Sequence, residues 1–180
     1  MPNSIIPLTQ IMAVLWQLSQ TRKAFRSSLN LSGSKLPCNV TYGEAFSVQP
    51  FGNNLVTMTL SGTQIDALLE QQFDNTSFGN KGVLLQVSKG SSYTWNKSAP
   101  VGKKVNISSI KINGTSIDPR SLYRVTVDGF MADGGNNLSV LKAGVNRTLG
   151  SLDDINITAN YFTDSSPVAP GHRDRITVVK

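Results

Sequence analysis

Apolar positions recur along this chain at two spacings, and the spacings predict its elements. Leu55 to Leu60, Leu-Val-Thr-Met-Thr-Leu, alternates in the way of a strand with one face in a core. Ile65, Leu68, Leu69 and Phe73 then return at helical spacing. A helix opened by Ser61 or Thr63 and running to about Phe73 would turn all four inward. Upstream, Thr41-Tyr42-Gly43-Glu44 matches a capping box, in which hydroxyl and carboxylate satisfy the free amides of a helix start. Pro50 keeps that helix short, because the residue before a proline avoids helical backbone.

Further on, Val83 to Val87 reads as a buried strand, and Tyr93 to Asn96 as its partner across a Ser/Gly turn. Val105 to Ile112 alternates and ends in the tight-turn pair Asn113-Gly114. Tyr123 to Val127 predicts a strand that runs into Gly129-Phe130 and a Gly134-Gly135-Asn136-Asn137 loop. Ser151 and Asp154 are placed to cap a last helix with Leu152, Ile155, Ala159 and Phe162 inward. Pro167 and Pro170 end it, and Arg175 to Lys180 closes as a strand. Strands and helices mix without regular βαβ alternation. The expectation is a single α+β domain with a mixed sheet and about three to four helices.

Composition narrows the choices of chemistry. With 180 residues, 39% of them hydrophobic, the chain suits one domain with a sizeable core. The net charge of +6 is scattered; only Arg22-Lys23-Arg26 and Lys103-Lys104 cluster. A nucleic-acid interface needs a basic face with interleaved aromatics, so the charge reads as a solvated surface and no nucleic-acid partner is expected. Cys38 and His172 are the sole cysteine and histidine. An intrachain disulfide and a His-rich metal site are therefore excluded. His172, in Pro-Gly-His-Arg, reads as an exposed loop residue without a nucleophile elbow to serve. The apolar run Ile11 to Leu18 falls short of the ~18 residues a membrane span requires, and no signal-peptidase site follows it. Asn-X-Ser/Thr occurs at Asn30, Asn39, Asn75, Asn96, Asn106, Asn113, Asn137, Asn146 and Asn156. Chance alone predicts roughly three, so the excess favours a secreted glycoprotein over a set of Asn-rich turns.

Two segments carry candidate chemistry. In Gln49-Pro50-Phe51-Gly52-Asn53, proline stiffens the approach and glycine lets the backbone come close to whatever lies on the ring of Phe51. In Asp128-Gly129-Phe130-Met131-Ala132-Asp133-Gly134-Gly135-Asn136, a second Phe follows a strand end and borders a polar loop. Two aromatics on separate loops can clamp one planar ring, with neighbouring amides reading its edges.

Three stretches together resemble the C-terminal domain of 5′-nucleotidases and UDP-sugar hydrolases. They are Tyr-Gly-Glu-Ala-Phe-Ser-Val-Gln-Pro-Phe-Gly-Asn, Leu-Val-Thr-Met-Thr-Leu-Ser-Gly and Tyr-Arg-Val-Thr-Val-Asp-Gly-Phe-Met-Ala-Asp-Gly-Gly. The likeness spans about residue 26 to the C-terminus. It implies a substrate-binding domain in which Phe51 and Phe130 sandwich a base and Asn53 bonds its edge. Arg26 would then hold the ribose or phosphate side. Asn136 stands where the family has the aspartate that takes the ribose hydroxyls; as an amide it still accepts a hydrogen bond but brings no charge. The expected ligands are AMP or adenosine, or a UDP-sugar.

In the family, an N-terminal metallophosphoesterase domain holds two divalent metals that activate water for attack on phosphorus. None of its motifs is present here, so no cofactor, metal ligand or catalytic residue is expected in this chain. Isolated hydrolase activity is doubtful, and a metallophosphoesterase domain acting in trans is a candidate partner. Residues 1–25 depart from the family and stand as a diverged or mispredicted segment before a recognition domain at 26–180. The alternative is a genuine N-terminal helix over Leu8 to Gln20. By resemblance the setting is extracellular, periplasmic or at the cell surface. A catalytically inactive secreted binding module is the competing reading.

Overall fold

A computed structural model describes residues 11–15, 40–74, 84–168 and 172–180. The fold is α+β, with four α-helices among these residues. They are α1 (Tyr42–Val48), α2 (Gly62–Gln71), α3 (Gly129–Ala132) and α4 (Asp154–Ser165). Nine strands among the described residues form two sheets. The larger runs β3 (Gln86–Val87), β1 (Ile11–Leu15), β7 (Leu122–Asp128), β2 (Asn54–Ser61), β8 (Val145–Asp153). The smaller runs β6 (Thr115–Ser116), β5 (Lys111–Ile112), β4 (Ser91–Asn96), β9 (Ile176–Val179). Each sheet mixes directions, with β1 parallel to β7 and β4 parallel to β9.

The alternation read from Leu55–Leu60 sets the layers. Val56, Met58 and Leu60 of β2 join Tyr123, Val125 and Val127 of β7 in the core. The intervening residues make a polar face, where the Thr57 and Thr126 hydroxyls lie 2.9 Å apart and Arg124 donates to Thr59 Oγ1 at 3.0 Å. Helix α2 covers the apolar side with Ile65, Leu68 and Leu69, all fully buried. Phe73 packs on Trp95 just beyond its end. Gln72 is buried there without penalty, because its Oε1 accepts from Leu85 N–H at 2.8 Å and from the Tyr93 hydroxyl at 3.3 Å. Burial holds the Tyr93 phenol well above its ordinary range, with the Gln72 bond opposing.

Several local expectations change. Tyr93–Asn96 does not pair with the strand before it. Ser91 N–H closes a turn onto Ser88 C=O, and Gly90 takes φ +91°, which steps the chain from one sheet to the other. β3 then pairs with β1, while β4 lies between β5 and β9. The Val83 end of the expected strand lies outside the described residues. Val105–Ile112 is broken because Asn106 Oδ1 accepts from Ser108 N–H and winds Ile107–Ser109 into a 3₁₀ turn. The cap of α4 is Asp153, whose Oδ1 accepts from Asn156 N–H, so Asp154 is the first helical residue. Leu152 sits before that cap on β8 and is exposed. Ile11–Leu15, within the alternative N-terminal helix, is a strand. A short apolar run carries no period that separates the two conformations.

Candidate functional site

The antiparallel register of β2 and β7 brings the two aromatic segments to one end of the larger sheet. Leu55 lies opposite Asp128, so the loop entering β2 sits beside the turn leaving β7. Phe51 is in that loop and is 48% exposed; Phe130 is in the first turn of α3 and is 52% exposed. Large apolar rings left half in water at adjacent strand ends are available to a planar ligand.

Local chemistry holds each ring. Pro50-Phe51-Gly52 forms an arch, and Gly52 turns it at φ +64°, a conformation strained for residues with a Cβ. Asn53 is half-buried, and its carbonyl accepts from Asp154 N–H at 2.9 Å. Across the sheet end, Asp128 caps α3, with Oδ1 accepting from Met131 N–H at 2.8 Å. The Phe130 ring lies on the backbone of Gly135, where a Cβ would stand 2.5 Å from a ring carbon. Asn136 is next, in the left-handed region at φ +56°, with its side-chain Nδ2 buried and without a hydrogen-bond partner. A buried amide donor of that kind is a costly feature in a finished core and a useful one beside a ligand. Burial pushes the Asp128 carboxyl above its ordinary value; the Met131 bond opposes this and nearby Asp154 adds to it.

Phe51, Asn53, Phe130 and Asn136 therefore all lie on the segments at this end of the sheet. Arg26 lies outside the described residues. Two supports escape the sequence reading. Gln49 donates from Nε2 to Asp154 Oδ2 at 2.8 Å, joining residues 105 positions apart. Asp154, expected as a cap, is buried at this junction instead. No spacing rule links such a pair; the capping signal at 151–154 marks only the element's start.

Residues 10–143 match the family described as 5′-nucleotidase, C-terminal domain. The chain belongs to this family. It is 26% identical over 162 residues to the 5′-nucleotidase-related protein of Glossina morsitans morsitans, covering 87% of this chain and 28% of the relative. It is 32% identical over 145 residues to the trifunctional nucleotide phosphoesterase protein of Bacillus subtilis (strain 168), covering 78% and 10%. Among solved structures, the 5′-nucleotidase precursor from Thermus thermophilus superposes with a TM-score of 0.67 at 31% identity, covering 91% of this chain and 33% of that one. This 5′-nucleotidase C-terminal domain thus spans at most about a third of the proteins just named.

No group of three or more His, Cys, Asp or Glu side chains among the described residues gathers into a metal site. Of the acids at the aromatic end, Asp128 caps α3, Asp153 caps α4 and Asp154 takes the bond from Gln49. A separate open groove of about 420 Å³ lies on the smaller sheet, lined in part by Ser92, Thr94, Lys111 and Thr177. It shares no lining residue with the aromatic end. Among the described residues, no helix is long and apolar enough to cross a membrane.

Proposed function

We propose that this chain grips the nucleoside part of a nucleotide, with the phosphoryl chemistry supplied by residues beyond those described here, in cis or in trans. The observation that carries the reading is the pair of half-exposed rings, Phe51 and Phe130, at neighbouring strand ends in a member of this family. In this reading the rings stack on the two faces of a base and Asn53 bonds its edge. Asn136 takes the ribose hydroxyls, and Arg26 holds the ribose or phosphate side. The stacking contribution is worth ~1–3 kcal/mol per ring, which corresponds to roughly 5- to 150-fold in affinity.

Calorimetric titration with AMP, adenosine and UDP-glucose tests this directly. Phe51→Ala and Phe130→Ala should each weaken binding by at least about fivefold without unfolding the protein. Equal affinity in wild type and both variants would sink the proposal. With Mn²⁺, Zn²⁺ or Mg²⁺, the purified chain should release no phosphate from AMP. Metal-dependent release that disappears in Phe51→Ala would overturn the division of labour.

A catalytically inactive secreted binding module is the second reading. Its support is the exposure of the sequon residues Asn106, Asn113, Asn137 and Asn146, which leaves them open to glycosylation. Both readings place the protein outside the cell or at its surface.

A further inference from the structure

One buried residue holds the Phe51 arch at both of its feet. The side chain of Asp154 accepts from Gln49 Nε2 at 2.8 Å, immediately before Pro50. Its backbone N–H donates to the Asn53 carbonyl at 2.9 Å, immediately after Gly52. The three residues between, Pro50-Phe51-Gly52, are exposed, so these two bonds tether the loop where it meets the protein. Asp154 itself is only 4% exposed, and its Oδ1 is buried with no partner. Its place as first residue of α4, where free helix amides favour a carboxylate, makes that burial tolerable. The neighbouring residue Asp153 pairs with Asn54, and Asp128, which caps the Phe130 turn, is close enough to feel the charge of Asp154.

We propose that Asp154 is a positioning residue, which fixes the Phe51 platform relative to the Phe130 turn and so sets the gap that a base must enter. The assignment rests on the nucleotide reading for its purpose, though not for its geometry. A base stacks only when both rings stand at the correct spacing beforehand, because ordering a loose loop on binding subtracts from affinity. Gln49 is the other half of the staple. Being half-buried outside the core, it can be cut without removing packed apolar volume.

The test combines AMP titration with fluorine NMR of protein carrying 4-fluorophenylalanine, the Phe51 line being assigned through Phe51→Leu. In ligand-free wild type the Phe51 line should stand away from that of the free amino acid. In Asp154→Ala and Gln49→Ala it should move toward the free position, and AMP affinity should fall about tenfold and about threefold respectively. Asp154→Asn keeps an acceptor for Gln49 and removes the like charge beside Asp128, so it should recover most of both losses. Should Asp154→Ala fail to fold, Gln49→Ala carries the comparison alone. An unmoved Phe51 line and unchanged affinity in folded Gln49→Ala and Asp154→Ala would overturn the assignment, while wild-type binding would leave the nucleotide reading standing. Conversely, a Phe51 line that moves as expected in a protein that binds none of AMP, adenosine and UDP-glucose would support the positioning role and refute the nucleotide reading.

Discussion

In α1 the Thr41 hydroxyl accepts from Glu44 N–H at 3.3 Å while Glu44 Oε2 returns to Thr41 N–H at 2.8 Å. In α2 Ser61 and Gln64 make the same exchange at 3.2 and 2.8 Å. The starts match, and the surroundings do not. α2 drives Ile65, Leu68 and Leu69 into the core, whereas α1 buries Ala45 and leaves Tyr42 and Phe46 exposed. Identical capping chemistry therefore begins a core element in one place and, in the other, a surface strut that ends at Gln49 and the Phe51 arch. A cap decides where a helix starts; what the helix is for depends on the face it buries.

Three substitutions, taken from the largest effect down, break or sharpen this contrast. Leu68→Ala should cost ~2–5 kcal/mol in urea unfolding, since its fully buried side chain leaves a cavity between α2 and the sheet. A loss below ~1 kcal/mol would mean that α2 is not the core helix described. Ser61→Ala should cost ~1 kcal/mol in the same measurement. Thr41→Ala removes an equivalent cap, yet its effect should appear chiefly as faster amide exchange in α1 with little change in the unfolding midpoint. Equal midpoint shifts for the two cap variants would erase the distinction.

The smallest effect concerns Asp66 on α2. Burial, and then Glu70 one turn on, raise its carboxyl above the ordinary value. A carboxyl raised on folding contributes its stability below the unfolded value of about 3.9 and loses it as pH climbs through the folded value. Asp66→Asn should therefore melt higher than wild type at pH 7, on the order of 2 °C, and show no advantage near pH 3. Parallel melting curves across that range would remove the strain assigned to this carboxyl.

What was legible in the sequence was local or periodic. The Thr41–Glu44 capping box, a helix start at Ser61, the Leu55–Leu60 alternation and the Asn113-Gly114 turn follow from interactions within a few residues, and all stand in the structure. The pairing of β4 was not legible, because Tyr93 meets Ile176 across most of the C-terminal half and no turn signal encodes that choice. Nor did alternation over Val105–Ile112 survive the competing side-chain cap of Asn106. Phe51 and Phe130 could be singled out as rings beside Pro and Gly. Their meeting at one sheet end depends on the Leu55–Asp128 register, and the Gln49–Asp154 staple depends on that register and on the α4 start together.

The place of β1 bears on how the domain assembles. β7 and β2 pair along their whole length and β8 adds to β2, but β3 reaches this sheet only through Ile11–Leu15, which inserts between it and β7. Because Ile11 pairs with Arg124, the insertion must wait for a contact that spans most of the chain, and such contacts form late. Until then β7 offers an open row of amides and carbonyls to any strand within reach, including that of another unfinished copy. Aggregation during refolding should accordingly be governed by how fast one five-residue strand finds its slot.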